Sequence, residues 1–421
     1  MTQVMFADCR FCRVSKCGEL YGKPIAVHSA FKSVVGLGKI MSAVLRLVQT
    51  EQFNEELDLP SSSSSAPGHS IQGAFQYCAP WKPYVARYLI ERFSKKGSLV
   101  LDPFCSTGIV GVEAALAGRG FVGCEQDHSL VKLARARLSP ADLAEVALRL
   151  QFIPVKRPVD LKSYTGPFPH FFDSDTFREL INVKAALRSS TDGASEFVSF
   201  IVASILHGHT LAYLSAYSSP SEGLSPDAQA TLNRKRGEVP SYRHVSARVL
   251  KKAATLLRDG VPTALAGSSK LQRDVFFSDS ASINRVQTGS VDLALVAPHQ
   301  PGLIEHGLQS WLRTWWLGVN IPEHREAPRD LSDWSDQTNE LLVEMARVVQ
   351  PGGRAIVRVG QGRIGSKTVQ YRAAVESLLV ECLHRFWRIE GSISERYVKS
   401  ASQSAGQTAP LTAELLVLRR K

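Results

Sequence analysis

The residue types best suited to chemistry stand close together in the first third of the chain. An apolar stretch, 98–101, is followed by Asp102, and Gly108 comes shortly after it. A carboxylate can pair with a cationic group, and a glycine lets the backbone approach a ligand closely. A second apolar stretch ends in Glu125, where a carboxylate can accept hydrogen bonds from the hydroxyls of a ribose. The two acids in this register predict a site for a nucleotide-like ligand.

A repeated strand and helix pattern must position these acids. Its predicted elements are strands at 98–101 and 120–124 and helices at 107–117 and 128–138. This order is typical of an α/β fold with a doubly wound, mostly parallel sheet. Ligands bind such sheets at the carboxyl ends of the strands, so we expect Asp102 and Glu125 to line one crevice.

The same residues resemble a known family. The runs Leu101-Asp102-Pro103-Phe104-Cys105-x-x-Gly108, Glu113-Ala114-Ala115 and Gly118-Arg119-x-Phe121-x-Gly123-x-Glu125 are similar to the first two motifs of the DNA amino-methyltransferases. These enzymes methylate N4 of cytosine or N6 of adenine. The resemblance extends over about residues 71–420 and is strongest over 97–138. It implies a class I, Rossmann-like methyltransferase fold with a terminal antiparallel strand, and S-adenosylmethionine as cofactor.

The resemblance also implies roles for single residues. Asp102, Phe104 and Gly108 would contact the methionine part of the cofactor, with Ser106 in the same loop. Glu125 would bind the ribose, and Asp279 would lie near the adenine. Ser106 stands where the family usually has glycine, so its side chain occupies a place where the cofactor comes close.

The catalytic loop departs further from the family. An exocyclic amine becomes nucleophilic when hydrogen-bond acceptors localise its lone pair, and the flipped-out base stacks on an aromatic ring. The family does this with Ser/Asp/Asn-Pro-Pro-Tyr/Phe/Trp, but after the predicted strand 290–296 this chain reads Ala297-Pro298-His299-Gln300. The Pro298 carbonyl and the His299 imidazole are the remaining candidate acceptors.

Three functions therefore stay open. The first is a DNA methyltransferase acting on an exocyclic base amine, in a setting such as restriction-modification. The second is a catalytically inactive relative that still binds DNA, and the third is an RNA base methyltransferase.

The linker composition, the predicted elements and the roles that the resemblance implies together divide the chain into five segments. They are an N-terminal extension (1–60) whose function we cannot read, a Ser/Pro-rich linker (61–70), the cofactor-binding half (71–150), a helical insertion predicted to recognise the target (151–270), and the catalytic half (271–421). Further predicted elements are a helix at 30–49, helices at 175–187, 196–206 and 338–349, strands at 275–277 and 354–359, and an antiparallel pair at 387–390 and 414–418.

The insertion carries a basic stripe. Its candidate phosphate contacts are Arg234, Lys235, Arg236, Arg243, Arg248, Lys251 and Lys252. Contacts of this kind would make DNA binding steeply salt-dependent, although a solvated helix face has the same composition. Trp311, Trp315 and Trp316 could stack on bases, but core packing is the commoner reason for such a cluster.

The overall composition agrees with a nucleic-acid partner. Fifty Lys and Arg against 39 Asp and Glu give a formal net charge of +11, which suits DNA or RNA. Seven scattered cysteines indicate reduced thiols and a cytoplasmic protein, and no apolar run predicts a membrane segment. Cys9, Cys12 and Cys17 invite a zinc interpretation that could recruit His28, yet plain thiols are the default, so we predict no metal. The oligomeric state is not predicted.

Overall fold

The fold was derived from a computed structural model, which describes residues 52–59, 68–75, 80–190, 192–219, 224–267, 270–300, 311–318, 328–364, 367–397 and 413–421. The predicted helix at 30–49, the cysteines at 9, 12 and 17 with His28, and most of the predicted linker lie outside the described residues.

The described strands form one nine-stranded sheet. Its strands are β1 (Phe53–Leu59), β2 (Leu99–Asp102), β3 (Gly120–Glu125), β4 (Arg273–Phe277), β5 (Val291–Val296), β6 (Val349–Ile364), β7 (Lys367–Gln370), β8 (Trp387–Tyr397) and β9 (Ala413–Arg420). They follow the order β1-β8-β9-β6-β5-β2-β3-β4, and β7 pairs with β6 outside this path. The pairs along β6-β5-β2-β3-β4 and the pair β1-β8 are parallel, whereas β9 is antiparallel to both its neighbours. The predicted fold class, an α/β mostly parallel sheet with a terminal antiparallel strand, is confirmed.

Helices connect these strands. They are α1 (Pro83–Phe93), α2 (Ile109–Leu116), α3 (His128–Leu138), α4 (Leu143–Gln151), α5 (Ser174–Arg188), α6 (Gly193–Ile205), α7 (Pro226–Arg236), α8 (Val245–Leu256), α9 (Trp311–Leu317), α10 (Leu331–Val348) and α11 (Tyr371–Leu378). Four of them, α5 to α8, lie in the predicted insertion, 151–270. In the described ranges, no helix combines the length and the apolar character needed to cross a bilayer.

Apolar residues cover both faces of the sheet. Successive residues of β2 point to opposite sides, so Val100 joins one buried cluster and Leu101 joins the other. The Val100 cluster also contains Phe200 of α6 and Val249 of α8. The insertion helices are therefore packed onto the sheet and share its core.

Several strands differ from the sequence prediction, and β1 and β6 are two of them. β1 was not predicted, because the helix at 30–49 was the one element that the sequence of residues 1–60 indicated. It is an edge strand, and its residues alternate between partial burial and exposure from Phe53 to Asp58 before the buried Leu59. β6 begins at Val349, well before the predicted start at Arg354, because the Pro351-Gly352-Gly353 turn interrupts the pairing with β5 without ending the strand. Gly352 adopts φ +81°, a conformation that glycine accepts without strain.

Candidate functional site

The two acids singled out by the sequence lie at the ends of neighbouring parallel strands. Asp102 is the last residue of β2 and pairs in register with Gly123 of β3, two residues before Glu125. Asp102 is 1% exposed and Glu125 is 8% exposed. Glu125 Oε2 accepts a 3.0 Å hydrogen bond from the backbone amide of Ser106, in the loop that leaves Asp102. Both carboxylates therefore border the same loop.

This loop, residues 103–108, turns the chain tightly from β2 into α2. Asp102 Oδ1 accepts a 3.0 Å hydrogen bond from the Phe104 amide, and the Gly108 amide donates to the Cys105 carbonyl at 2.8 Å. Ser106 has φ +49° and Gly108 has φ +81°, so both occupy the left-handed region. The backbone at 106 thus has the conformation that favours glycine, which gives a physical reason for the glycine in the related motif.

Burial shapes the electrostatics of the two acids. Loss of hydration raises the pKa of Asp102 to about 8; the Phe104 amide opposes the rise, and the nearby Glu125 adds to it. Burial likewise raises the pKa of Glu125 to about 7, against the hydrogen bonds from the Gln126 and Ser106 amides. Within the described ranges neither acid forms an ion pair with a lysine or arginine, so a cationic ligand would favour the ionised form of Asp102.

The end of β4 lies beside the end of β3 at the same edge of the sheet. The Ser278 amide donates to the Glu125 carbonyl at 3.1 Å, which ties the segment after β4 to the end of β3. Asp279 Oδ1 accepts a 3.2 Å hydrogen bond from Gln126 Nε2. The structure therefore brings Asp279 beside the residue that follows Glu125, as a site shared by the two requires.

One aromatic pair at this edge was missed by sequence reasoning. Phe277, the last residue of β4, is 46% exposed and stacks on the His128 ring with 4.0 Å between centroids. An exposed phenylalanine at the carboxyl end of a parallel strand offers a flat apolar surface where a ligand would lie. The position of Phe277 directly before Ser278 and Asp279 was the available signal.

The catalytic-loop candidates lie on the other side of β2. β5 pairs with β2, and the buried Ala297 follows the last residue of β5. The exposed His299 contacts Phe104 edge to face, with 5.1 Å between ring centroids and an interplanar angle of 82°. The structure thus brings a predicted catalytic residue against a predicted cofactor residue. Pro298, which stands between Ala297 and His299, is partly buried. The side chain of Ala297 offers no hydrogen-bond acceptor.

Only some residues of the predicted basic stripe expose their charged groups in the structure. Arg234, Lys235, Arg236 and Lys251 are exposed, and Arg248 is partly exposed. Arg243, by contrast, is 3% exposed and donates a 2.9 Å hydrogen bond to the Tyr213 carbonyl.

Lys252 also points into the protein. Its ammonium group donates a 3.0 Å hydrogen bond to the Gly73 carbonyl. Burial lowers the pKa of both Arg243 and Lys252, as expected for cations removed from water. The expectation that these two residues contact phosphate is therefore corrected, because their charged groups are engaged inside the protein.

The tryptophan cluster belongs to the core. Trp316 is 2% exposed and donates a 3.0 Å hydrogen bond to the Ser199 carbonyl, while Trp311 donates to the Leu224 carbonyl at 3.0 Å. Trp315 stacks on Phe177 with 5.8 Å between centroids. These contacts support the packing interpretation over base stacking.

Comparison with known proteins gives a match in the first third of the chain. Residues 40–136 match the profile of the N6/N4 methyltransferases, described as DNA methylase. Residues 40–136 are therefore similar to the N6/N4 DNA methylase family. The type II methyltransferase M2.DpnII of Streptococcus pneumoniae is 42% identical over 55 residues, which are 12% of this chain and 20% of that protein. The type II methyltransferase M.MthZI of Methanothermobacter thermautotrophicus is 41% identical over 58 residues, 14% of this chain and 16% of that one. The matched stretch thus spans about a fifth of these relatives, and the homology to type II DNA methyltransferases is distant.

Solved methyltransferase structures share a broader but weaker likeness. An S-adenosylmethionine-dependent methyltransferase from Methanosarcina mazei is 9% identical, with 79% of this chain and 96% of that chain covered and a TM-score of 0.30. The rRNA methyltransferase aviRa from Streptomyces viridochromogenes is 10% identical, with 83% and 90% covered and a TM-score of 0.27. The fold class rests on the strand order and pairings described above.

Proposed function

We propose that the chain binds S-adenosylmethionine at the carboxyl edge of β2, β3 and β4 and methylates an exocyclic amine of a DNA base, N4 of cytosine or N6 of adenine. The observation that carries the proposal is the pair of buried acids, Asp102 and Glu125, on either side of the loop 103–108. This arrangement lies in the part of the chain that matches the DNA methylase family.

The residues fit the chemistry of the cofactor. Asp102 is buried without a cationic partner in the described part of the chain, so it would hold the positively charged methionine part. Glu125 would accept hydrogen bonds from the ribose hydroxyls, and Phe277 with Asp279 would border the adenine. When bound, S-adenosylmethionine supplies an activated methyl group.

The segment 297–300 would contact the target amine. The Pro298 carbonyl offers one acceptor, and the imidazole of His299, in its neutral form, offers another. Its contact with the Phe104 ring holds His299 over the loop that we assign to the methionine part. His299 would thus take the role that Asp, Asn or Ser plays in the related motif, by helping to localise the lone pair of the amine.

A catalytically inactive, DNA-binding relative is the second candidate. Ala297 favours it, because a buried methyl group replaces the side-chain acceptor of the related motif. Loss of one preorganised hydrogen-bonding group typically slows an enzyme by about 10²–10³-fold. In this candidate, the helices of the insertion would still read DNA through the exposed basic residues.

Methyl transfer from labelled S-adenosylmethionine separates the candidates. We expect label on DNA of mixed sequence, and we expect His299→Ala to lower the rate about 10²-fold or more while cofactor affinity stays close to that of the wild type. Cofactor binding without any labelled DNA would favour the inactive relative. Label that goes to RNA in a mixture of DNA and RNA would point to the RNA base methyltransferase instead.

Salt dependence tests the DNA partner independently. Replacement of Arg234, Lys235 and Arg236 by alanine should reduce the slope of log affinity against log salt by about 3, because each phosphate contact contributes about 0.9. Lys162→Ala, at a lysine side chain that is 90% exposed outside the stripe, is the matched control. An unchanged slope in the triple variant would contradict the proposed role of the stripe.

A further inference from the structure

A compact loop follows α6 and carries one strongly exposed leucine. The loop is closed by a backbone bridge between Gly208 and Tyr217, and the Ser218 amide donates to the Gly208 carbonyl at 3.0 Å. At its tip, the Tyr213 amide donates to the Thr210 carbonyl at 3.1 Å, which forms a tight turn. Leu211 stands in this turn and is 76% exposed.

Two arginines donate hydrogen bonds to the backbone of this tip. The guanidinium of Arg243 donates to the carbonyl of Tyr213 at 2.9 Å, and Arg248 Nε donates to the carbonyl of Leu211 at 3.3 Å. Arg243 is nearly fully buried, so its contact is part of the interior. The conformation of the tip is therefore fixed before any partner arrives, which reduces the entropy lost on binding.

Positive charge lies at the base of the loop beside one acid, since Arg236 pairs there with Glu238 at 3.1 Å. The Arg236 guanidinium lies 3.7 Å from the ring centroid of Tyr217, at the closing end of the loop. Arg234 and Lys235 precede Arg236 at the end of α7 and are exposed. An exposed apolar tip with exposed cations at its base is complementary to a polyanion that has an apolar interior.

The base of the loop also lies close to the catalytic half. His207, the residue before Gly208, is buried, and burial together with the charge of Arg313 on α9 lowers the pKa of His207 to about 3. Helix α9 is the next described element after the segment 297–300. Arg313 Nε also donates a 3.3 Å hydrogen bond to the Ala203 carbonyl of α6, so α9 packs beside the helix from which the loop extends.

We propose that Leu211 is an apolar wedge that inserts between base pairs of duplex DNA. The inference rests on the proposed function, because it takes DNA as the partner. Proteins that distort DNA insert side chains such as leucine between base steps while flanking cations hold the phosphates. Enzymes that act on a base must take it out of the stack, and a wedge fills the space that the base leaves.

An abasic site provides a test that needs no knowledge of the recognition sequence. A duplex with one abasic site already has a gap, so the wild type should bind it about tenfold more tightly than the intact duplex, because no base must be unstacked. Leu211→Ala should lose this preference and keep the salt dependence of the wild type. Leu211→Met should retain most of the preference, because methionine is apolar and of similar length.

Leu148→Ala is the matched control, since Leu148 is 56% exposed on α4 and lies outside the loop. It should keep the tenfold preference. A Leu211→Ala variant that keeps the preference, or a wild type that binds DNA equally well with and without the abasic site, would overturn the wedge and leave the proposed function standing. If the wild type binds no duplex at low salt, both the proposal that DNA is the partner and the proposal of the wedge are overturned. The affinity of the protein for S-adenosylmethionine tests the cofactor site separately.

Discussion

The affinity for S-adenosylmethionine should rise with pH below about pH 8. Asp102 is held largely protonated at neutral pH, because burial raises its pKa to about 8 in the free protein. The cofactor carries a positive sulfonium and a positive amine, and these groups interact favourably only with the ionised carboxylate. Binding must therefore release a proton from Asp102 wherever that proton is still bound.

The size of the effect follows from the pKa. With a pKa of about 8, Asp102 is about 1% ionised at about pH 6 and about 24% ionised at about pH 7.5. The observed affinity scales with the ionised fraction, so it should rise about 20-fold over this range, or about 1.8 kcal/mol. The range stops at about pH 7.5 because the α-amine of the cofactor titrates near about pH 8 and would oppose the trend above it.

Isothermal titration calorimetry in two buffers of different ionisation enthalpy measures both the affinity and the proton release. Asp102→Asn should remove the 20-fold rise in cofactor affinity that comes from Asp102. Any pH dependence that comes from Glu125, whose pKa is about 7, should remain in this variant. The reasoning is refuted if the wild type and Asp102→Asn have the same pH profile, or if the wild type releases no proton at about pH 6.

Three further predictions concern stability and the cofactor loop. Ser106→Gly should stabilise the protein by about 0.5–1 kcal/mol in urea unfolding, since relief of the left-handed strain outweighs the extra backbone entropy of glycine; a loss of stability would contradict the strain. Gly108→Ala should lower the unfolding free energy by about 1–2 kcal/mol or more, because alanine is strained at this positive φ and its Cβ would lie 3.3 Å from Ala134. Gly97→Ala should cost less, because φ is +85° there but the surrounding space is open. Equal losses in the two variants would contradict the role of the Ala134 contact. The raised pKa of Asp102 should lower the unfolding free energy by about 1 kcal/mol per pH unit from about pH 6 to about pH 8, because in this range the carboxyl group is protonated in the folded state and ionised in the unfolded state. The raised pKa of Glu125 adds to this fall, so Asp102→Asn should give a shallower slope, and parallel curves for the two proteins would argue against the role of Asp102.

The cofactor half was predictable because its signals are local. An apolar strand ending in Asp102 and a second ending in Glu125 are patterns that parallel sheets impose on short stretches of sequence. The short helical stretch between them indicates that the two strands are neighbours in the sheet, as their pairing confirms. The left-handed conformation at Ser106 was not predictable, because serine has no preference for it and only the hydrogen bond to Glu125 and the turn into α2 require it.

The misassigned cations show where sequence reasoning stops. Arg243 and Lys252 have the same charge and a similar sequence environment to Arg248 and Lys251, yet they point inward. Their partners are backbone carbonyls at Tyr213 and Gly73, which are distant in sequence, so no local pattern marks them. The edge strand β1 was missed for a related reason: its partner β8 lies more than three hundred residues away along the chain.

The most direct test is the amount of labelled S-adenosylmethionine that the protein retains in equilibrium dialysis, with the wild type compared with a variant that carries both Asp102→Asn and Glu125→Gln. These changes preserve the shapes of the side chains and remove the two negative charges. We expect about one cofactor molecule per wild-type chain at saturation and at least about a tenfold loss of affinity in the double variant. Equal retention by the two proteins, or none by the wild type, would contradict the assignment of the crevice between β2 and β3 to the methyl donor.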